Sequence, residues 1–126
     1  MPIVGHAREG EGKPADRAEA TEIVLHIASD KTREFEAMFE SEEIPIWDDF
    51  TRRGRFLECR LVRVQGGSEG RPAVQDYILH VIAADHQAHE EHDGDPRFQS
   101  FLEKAQRIQP HPPLVWFGET VFERRS

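Results

Sequence analysis

Four short runs of β-branched and aromatic residues, separated by helical segments, limit the fold of this chain more than any other feature of its sequence. Each run is too short for a typical helix and is bounded by polar residues, glycine or proline, as strands usually are. Strands are predicted at residues 21–29, 55–65, 74–84 and 114–123. The connection "GGSEGRP" joins the middle two strands as a hairpin with a long loop.

The first helical segment follows the first strand. Asp30 is predicted to be its N-cap, and Phe35, Met38 and Phe39 share one apolar stripe. Pro45 has no backbone N–H to donate, so it is predicted to interrupt or restart this helix.

The second helical segment is predicted to contain two helices. A polar helix follows Asp85 and ends at Gly94, and Asp95 with Pro96 then supplies the N-cap and the first position of another helix. The apolar residues of this last helix recur at helical spacing and form one buried face, which consists of Phe98, Phe101, Leu102, Ala105 and Ile108.

The order β-α-β-β-α-β predicts an α+β, ferredoxin-like fold, in which both helical segments cover one face of a four-stranded antiparallel sheet. Residues 21–126 are expected to form this single domain. Residues 1–20 are rich in glycine, glutamate, alanine and arginine and lack an apolar period, so they are expected to form a flexible N-terminal arm.

Charge and composition exclude several classes of function. The formal net charge of −8 disfavours binding to nucleic acids and to anionic lipid. No apolar run is long enough to span a membrane, and the N-terminus lacks the apolar core of a signal peptide. The single cysteine, Cys59, is expected to be a small buried hydrophobe, which fits a reducing, cytoplasmic location.

Strand alternation predicts which side chains face away from the helices. In the second strand, Leu57, Cys59 and Leu61 are expected to face the helices. The predicted outward set mixes ionisable with apolar side chains: His26, His80, Arg60, Glu58, Asp76, Val24, Val62, Val64, Ile78, Ile82, and either Trp116 or Phe117. So much apolar surface is seldom left in water, so a second copy is expected to cover it in a homodimer.

His26 and His80 are predicted to be proton-transfer residues. The first and third strands are expected to be parallel neighbours, which would make these two histidines cross-strand partners. Glu58 or Asp76 is expected to supply the partners that a buried imidazole needs. Arg60 is predicted to anchor an anionic ligand group, although pairing with one of these carboxylates is an open alternative. A second alternative is that the histidines only complete a polar interface.

The stretch "DHQAHEEHDGDPRF" places His86, His89 and His92 three residues apart. On a helix these side chains fan over ~120°, so the three cannot easily converge on one ion. A metal site, a single histidine facing a pocket, and a solvated helix remain three alternatives. Asp93 lies four residues after His89 and is positioned to orient its ring.

The chain resembles the dimeric α+β barrel superfamily, which includes antibiotic-biosynthesis-monooxygenase-like and stress-responsive barrel proteins. The resemblance covers residues 21–123. It is carried by the element order, by a third strand that runs into "ADHQAHEEHDGDPRFQSFLEKA", and by the final "PLVWFGETVFE". It implies a homodimer with a pocket between sheet and helices or inside the barrel, used by different members for cofactor-free oxygenation, isomerisation or haem degradation.

The haem-degrading members have an asparagine on the first strand and a tryptophan on the third. This chain has His26 at the first position and no tryptophan at the second, so the resemblance argues against haem oxygenation. The helix histidine that ligates haem in those members corresponds to either His89 or His92.

The sequence therefore predicts a homodimer that binds a small aromatic or carbonyl-bearing molecule, as a cofactor-independent monooxygenase or isomerase. The expected catalytic residues are His26, His80 and Arg60. The expected ligand-binding residues are Glu58, Asp76, Trp116, His89 and His92, and neither a metal nor another cofactor is expected. A non-catalytic dimer with a structural or stress-related role, and a haem or metal binder, are the alternatives.

Overall fold

The computed structural model describes residues 17–124, which form one four-stranded sheet with helices on one face. The strands are β1 (Glu19–Ala28), β2 (Phe56–Arg63), β3 (Val74–Ala83) and β4 (His111–Gly118). Their order is β2-β3-β1-β4 and every neighbouring pair is antiparallel. The predicted ferredoxin-like fold is thereby confirmed. The arm predicted for residues 1–20 lies, up to residue 16, outside the described residues.

The first helical segment runs through a π-helical stretch, and it corrects the predicted cap at Asp30. A 3-10 turn (Ser29–Lys31) leads into α1 (Thr32–Met38), a π-helical stretch (Phe39–Glu43) and α2 (Ile44–Arg52). Asp30 lies inside the 3-10 turn and its side chain caps no helix. Pro45 does not break the chain out of the helix but restarts it, which was one of the two predicted outcomes: the π stretch ends at Glu43, and proline lies in the first turn of α2, where no N–H is needed.

The second helical segment contains the two predicted helices, α3 (His86–Asp93) and α4 (Pro96–Gln106). The Asp85 carboxylate accepts a hydrogen bond from the Ala88 N–H over 2.8 Å and so caps α3. The Asp95 carboxylate caps α4 in the same way, through the Arg97 N–H at 2.8 Å. Both helices thus begin where the sequence places an aspartate.

The core lies between the helices and one face of the sheet. Its largest fully buried side chains are Tyr77, Phe35, Phe50, Ile27 and Ile46. Phe101, Ala105 and Ile108 of the second segment join this core, and Phe98 packs against it, as their spacing predicts.

The prediction that the first and third strands are parallel is wrong. β1 and β3 are antiparallel, with Asp76 opposite His26 and Glu22 opposite His80. The reason is topological: the helical crossover makes β2 parallel to β1, and the hairpin then reverses the chain, so β3 runs against both. His26 and His80 consequently lie in different cross-strand rows and are not partners.

A register shift in β2 overturns the predicted position of Leu57. Phe56 pairs with Ala83 and Glu58 with Ile82, so Leu57 is the extra residue of a bulge. Phe56 takes the buried position, whereas the Leu57 side chain is 50% exposed. Cys59 and Leu61 pack against the core as predicted.

The bulge predicts a sharp contrast between neighbouring alanine substitutions. Phe56→Ala should lower the free energy of unfolding by about 3–5 kcal/mol, because it leaves a cavity in the core. Leu57→Ala should change it by only about 0.5 kcal/mol, as surface substitutions do. Urea denaturation at one fixed protein concentration measures both, and a larger loss for Leu57→Ala than for Phe56→Ala would refute the assigned register.

Candidate functional site

A cavity of about 260 Å³ lies between the sheet and the helices. The helix-facing side chains of the central strands form its floor, and aromatic side chains of both helical segments form its roof. The principal apolar wall consists of Ile23, Leu25, Leu79, Val81, Phe39 and Phe101. A roughly 150 Å³ apolar cavity holds benzene, so this one has room for a somewhat larger ring compound.

A buried ion pair forms one polar part of the cavity wall. The His92 Nε2 donates to Glu43 Oε2 over 2.6 Å, and His92 Nδ1 donates to Asp93 Oδ1 over 3.1 Å. The His92 ring packs against three phenylalanine rings, including that of Phe98 at a centroid distance of 4.3 Å. Burial disfavours the charged ring, but the hydrogen bonds to Asp93 and Glu43 outweigh this and raise the pKa of His92 to about 9. His92 is therefore an imidazolium at neutral pH.

Glu43 keeps one oxygen free. Its side chain is only 3% exposed, and among the described residues its Oε1 atom has no hydrogen-bond partner. Gln109 lines the same cavity, and its buried Oε1 atom also lacks a partner there. An unsatisfied buried acceptor costs roughly 1–3 kcal/mol, so both positions favour a donor group from a bound molecule or from water.

Sequence reasoning missed Glu43, although the sequence carries a signal for it. Glu43 follows Phe35 and Phe39 at four-residue steps, so it continues the apolar stripe of the first helical segment. A lone glutamate on such a stripe must be buried or displace the helix, and the π-helical stretch that ends at Glu43 leaves it buried.

His89 lies at the mouth of the cavity. Its Nδ1 donates to Glu19 Oε1 over 2.6 Å, and its Nε2 donates to Asp93 Oδ2 over 3.0 Å. Thr21 Oγ1 lies 3.4 Å from the same Nδ1 atom. Burial acts against the charged ring here too, but the hydrogen bonds to Asp93 and Glu19 raise the pKa of His89 to about 9. Asp93 thus contacts both cavity histidines, and its own pKa is lowered because these hydrogen bonds outweigh its burial.

The three regularly spaced histidines therefore have different surroundings. His89 and His92 line the cavity, whereas His86 lies beside its mouth, with its Nδ1 donating to Glu19 Oε2 over 2.7 Å. The interpretation of α3 as a merely solvated helix is wrong, and two of its histidines, rather than one, face the pocket.

The predicted catalytic histidines lie on the opposite face of the sheet, away from the helices. His26 is buried, and its Nδ1 donates to Asp76 Oδ1 over 2.8 Å. His80 lies between Glu22 and Glu58, and it donates to Glu58 over 2.9 Å. Arg60 pairs with Glu58 at 2.9 Å, which was the alternative to anion binding. These groups are already engaged with carboxylates, and none of them lines the cavity.

The same outer face carries an apolar row between polar rows. Cross-strand pairing aligns Val62, Ile78, Val24 and Leu114 across all four strands. The next row consists of Arg60, His80, Glu22 and Trp116. Trp116 therefore faces outward and is 55% exposed, whereas Phe117 lines the cavity. Val62, Ile78 and Leu114 are 40%, 36% and 48% exposed.

The cavity contains only part of the haem arrangement that the resemblance implies. His26, which occupies the position of the first-strand asparagine of the haem-degrading members, points to the outer face of the sheet. No tryptophan lies on β3. His89 and His92, the two candidates for the haem-ligating histidine, do line the cavity, so of the three implied residues only the histidine is present there.

No family model and no curated protein matches this sequence. Solved structures do match. A putative antibiotic biosynthesis monooxygenase from Caulobacter crescentus has a TM-score of 0.68 at 16% identity, over 86% of this chain and 93% of that chain. A putative antibiotic biosynthesis monooxygenase from Nitrosomonas europaea has a TM-score of 0.68 at 9% identity, over 85% and 93% of the two chains.

A third similar structure is that of SnoaB, a cofactor-independent oxygenase from Streptomyces nogalater. It has a TM-score of 0.62 at 16% identity and covers 83% of this chain and 95% of that chain. At such low identities the likeness establishes the fold alone. The chain has the fold of these monooxygenase-like structures, so the predicted resemblance is confirmed for the fold.

In the described part of the chain, no helix combines the length and the apolar character needed to cross a bilayer.

Stability should fall with rising pH because of His92. Its pKa is about 9 in the folded protein and about 6.5 in an unfolded chain, so between these values the folded chain keeps a proton that the unfolded chain releases. The stabilisation by the charged ring is complete below about pH 6.5 and is lost as the pH rises through about 9, with a slope of at most about 1.4 kcal/mol per pH unit. Urea denaturation at several pH values should show this slope flattened in His92→Gln. Parallel pH profiles for the two proteins would contradict the assignment.

Proposed function

We propose that the protein binds a small, mostly apolar ring compound with a hydroxyl group in the cavity between sheet and helices. The observation that carries this proposal is the Glu43 carboxylate, one oxygen of which is held by His92 while the other lies buried without a partner among the described residues. The apolar walls accept the ring, and the free oxygen accepts the hydroxyl hydrogen. Pockets of this kind, apolar with few polar groups, typically bind small molecules.

Oxygenation is the reaction class that we propose, and the likeness to a cofactor-independent oxygenase supports it. Glu43 Oε1 accepts the hydroxyl proton, and the resulting electron-rich anion transfers one electron to dioxygen. The two radicals combine at a ring carbon that bears hydrogen, and Glu43 returns the proton to the peroxide. Loss of water then leaves a carbonyl, so that one oxygen atom enters the product and the other leaves as water.

A pair of matched ligands tests the binding step. 1-Naphthol should bind about tenfold or more tightly than naphthalene, because a hydrogen bond to a charged acceptor contributes roughly 1.5–3 kcal/mol. Glu43→Gln should remove most of this preference while naphthalene affinity stays nearly constant. Fluorescence titration measures both affinities, and formation of naphthoquinone in air measures oxygenation.

Glu40→Gln is the matched control for this experiment, because it makes the same change on an exposed position of the same helical segment. The control should keep the naphthol preference. Equal binding of the two ligands to the unchanged protein, or an equal loss of preference in both variants, would disprove the role of Glu43.

We also propose that the protein is a homodimer whose subunits pack through the outer faces of their sheets. The apolar row of Val62, Ile78, Val24 and Leu114 supports this, because it is contiguous and three of its members are exposed. His26, His80 and Arg60 are paired with carboxylates on either side of this row, so they would form the polar part of the interface. The catalytic roles of these three residues, and the ligand-binding roles of Glu58, Asp76 and Trp116, stay predictions.

A charge placed in the apolar row should separate the subunits. Ile78→Glu lies on a central strand, so its carboxylate would be buried without a partner in the packed dimer. Ser100→Glu adds the same charge on the exposed side of α4 and is the matched control. Sedimentation equilibrium should show a monomer for Ile78→Glu and a dimer for the control. A monomeric unchanged protein, or a dimer in both variants, would refute the proposed interface.

We also propose that the protein is located in the cytoplasm. Burial raises the pKa of the Cys59 thiol to about 11, so the thiol is protonated and unreactive at neutral pH. Such a cysteine persists unpaired in a reducing compartment.

A further inference from the structure

Two histidines of α3 and one glutamate of β1 point at a common centre beside the mouth of the cavity. One ligand atom from each of Glu19, His86 and His89 can be chosen so that all three lie within 4.8 Å of one another. The carboxylate connects the two rings, because Oε2 lies 2.7 Å from His86 Nδ1 and Oε1 lies 2.6 Å from His89 Nδ1. The three side chains therefore converge although they come from different elements.

The outward nitrogens of both rings are also held. His86 Nε2 lies 3.3 Å from Glu90 Oε2, and His89 Nε2 lies 3.0 Å from Asp93 Oδ2, each one helical turn further on. A histidine that binds a metal usually donates its other ring N–H to a carboxylate or carbonyl, which fixes the ring and strengthens it as a ligand. Here both rings have such a carboxylate.

The cluster is partly enclosed, unlike a chance group of surface charges. The side chains of Glu19 and His89 are only 12% and 15% exposed. The Phe117 ring lies about 6 Å from both imidazoles, with centroid distances of 6.3 Å to His86 and 6.1 Å to His89. This enclosure favours a compact bound ion over a shell of mobile water.

We propose that Glu19, His86 and His89 bind one divalent transition-metal ion, of which Zn²⁺ is the representative probe. Imidazole nitrogens suit zinc, iron, copper and nickel, and two histidines with one carboxylate form the ligand set of many zinc and non-haem iron sites with open coordination positions. His89 also lines the cavity, so the proposed ion would lie beside the ligand space. The proposal needs only two of the three regularly spaced histidines, with Glu19 of β1 in place of the third.

Metal titration tests the site independently of any organic ligand. Protein without a histidine tag, stripped with chelator, should bind one Zn²⁺ per chain in calorimetry and should give the visible bands of nitrogen-ligated Co²⁺ in absorbance. Glu19→Gln, His86→Gln and His89→Gln should each weaken Zn²⁺ at least tenfold. Glu90→Gln should weaken it up to about tenfold, since it removes only the group that orients His86.

His80→Gln is the matched control, because His80 also lies between two glutamates but, among the described residues, belongs to no cluster with a second histidine. It should leave Zn²⁺ affinity and the Co²⁺ spectrum unchanged. Absence of binding in the folded, stripped protein would overturn the proposal. So would an equal loss in His80→Gln, or unchanged affinity in all three ligand variants with circular dichroism showing that they fold. Naphthol binding is measured without metal, so either proposal can fail while the other stands.

Discussion

The structure depends on one constraint: the sheet has two faces rich in apolar side chains, and the helices of a single chain cover only one of them. On the covered face, the aromatic side chains of both helical segments bury the central strands and leave a cavity between the layers. On the other face, an apolar row remains exposed between rows of ionisable groups. The proposed ligand site therefore lies on the covered face of the sheet, and the proposed dimer interface lies on its uncovered face.

Buried charge distinguishes the cavity from an ordinary core. A carboxylate inside an apolar layer is costly unless it is paired, and the imidazolium of His92 supplies the pairing for one oxygen of Glu43. The aromatic rings around His92 exclude water and thereby strengthen this interaction. The second oxygen is left without a partner among the described residues, so it favours a hydrogen-bond donor from a bound molecule or from water.

The positions of helices and helix caps along the chain were more predictable than the pairing between strands. The caps at Asp85 and Asp95 follow from local chemistry, because the aspartate and the N–H groups it accepts from are neighbours in sequence. The partners of His26 and His80 depend on strand direction and register, which no local pattern encodes. The assumption of parallel strands therefore paired the two histidines with each other, whereas the antiparallel register pairs His26 with Asp76 and places His80 between Glu22 and Glu58.

By itself, the sequence determined the element order, the fold class and most of the side chains that face the helices, because these depend on periodicity and on residues close together in the chain. Only the tertiary structure decided that Glu43 is buried beside His92, that Glu19 meets His86 and His89, and that Leu57 lies in a bulge. The physical reason is that these contacts join residues far apart in sequence. They depend on a π-helical stretch, a bulge and a strand register, each of which is set by the packing of the whole domain.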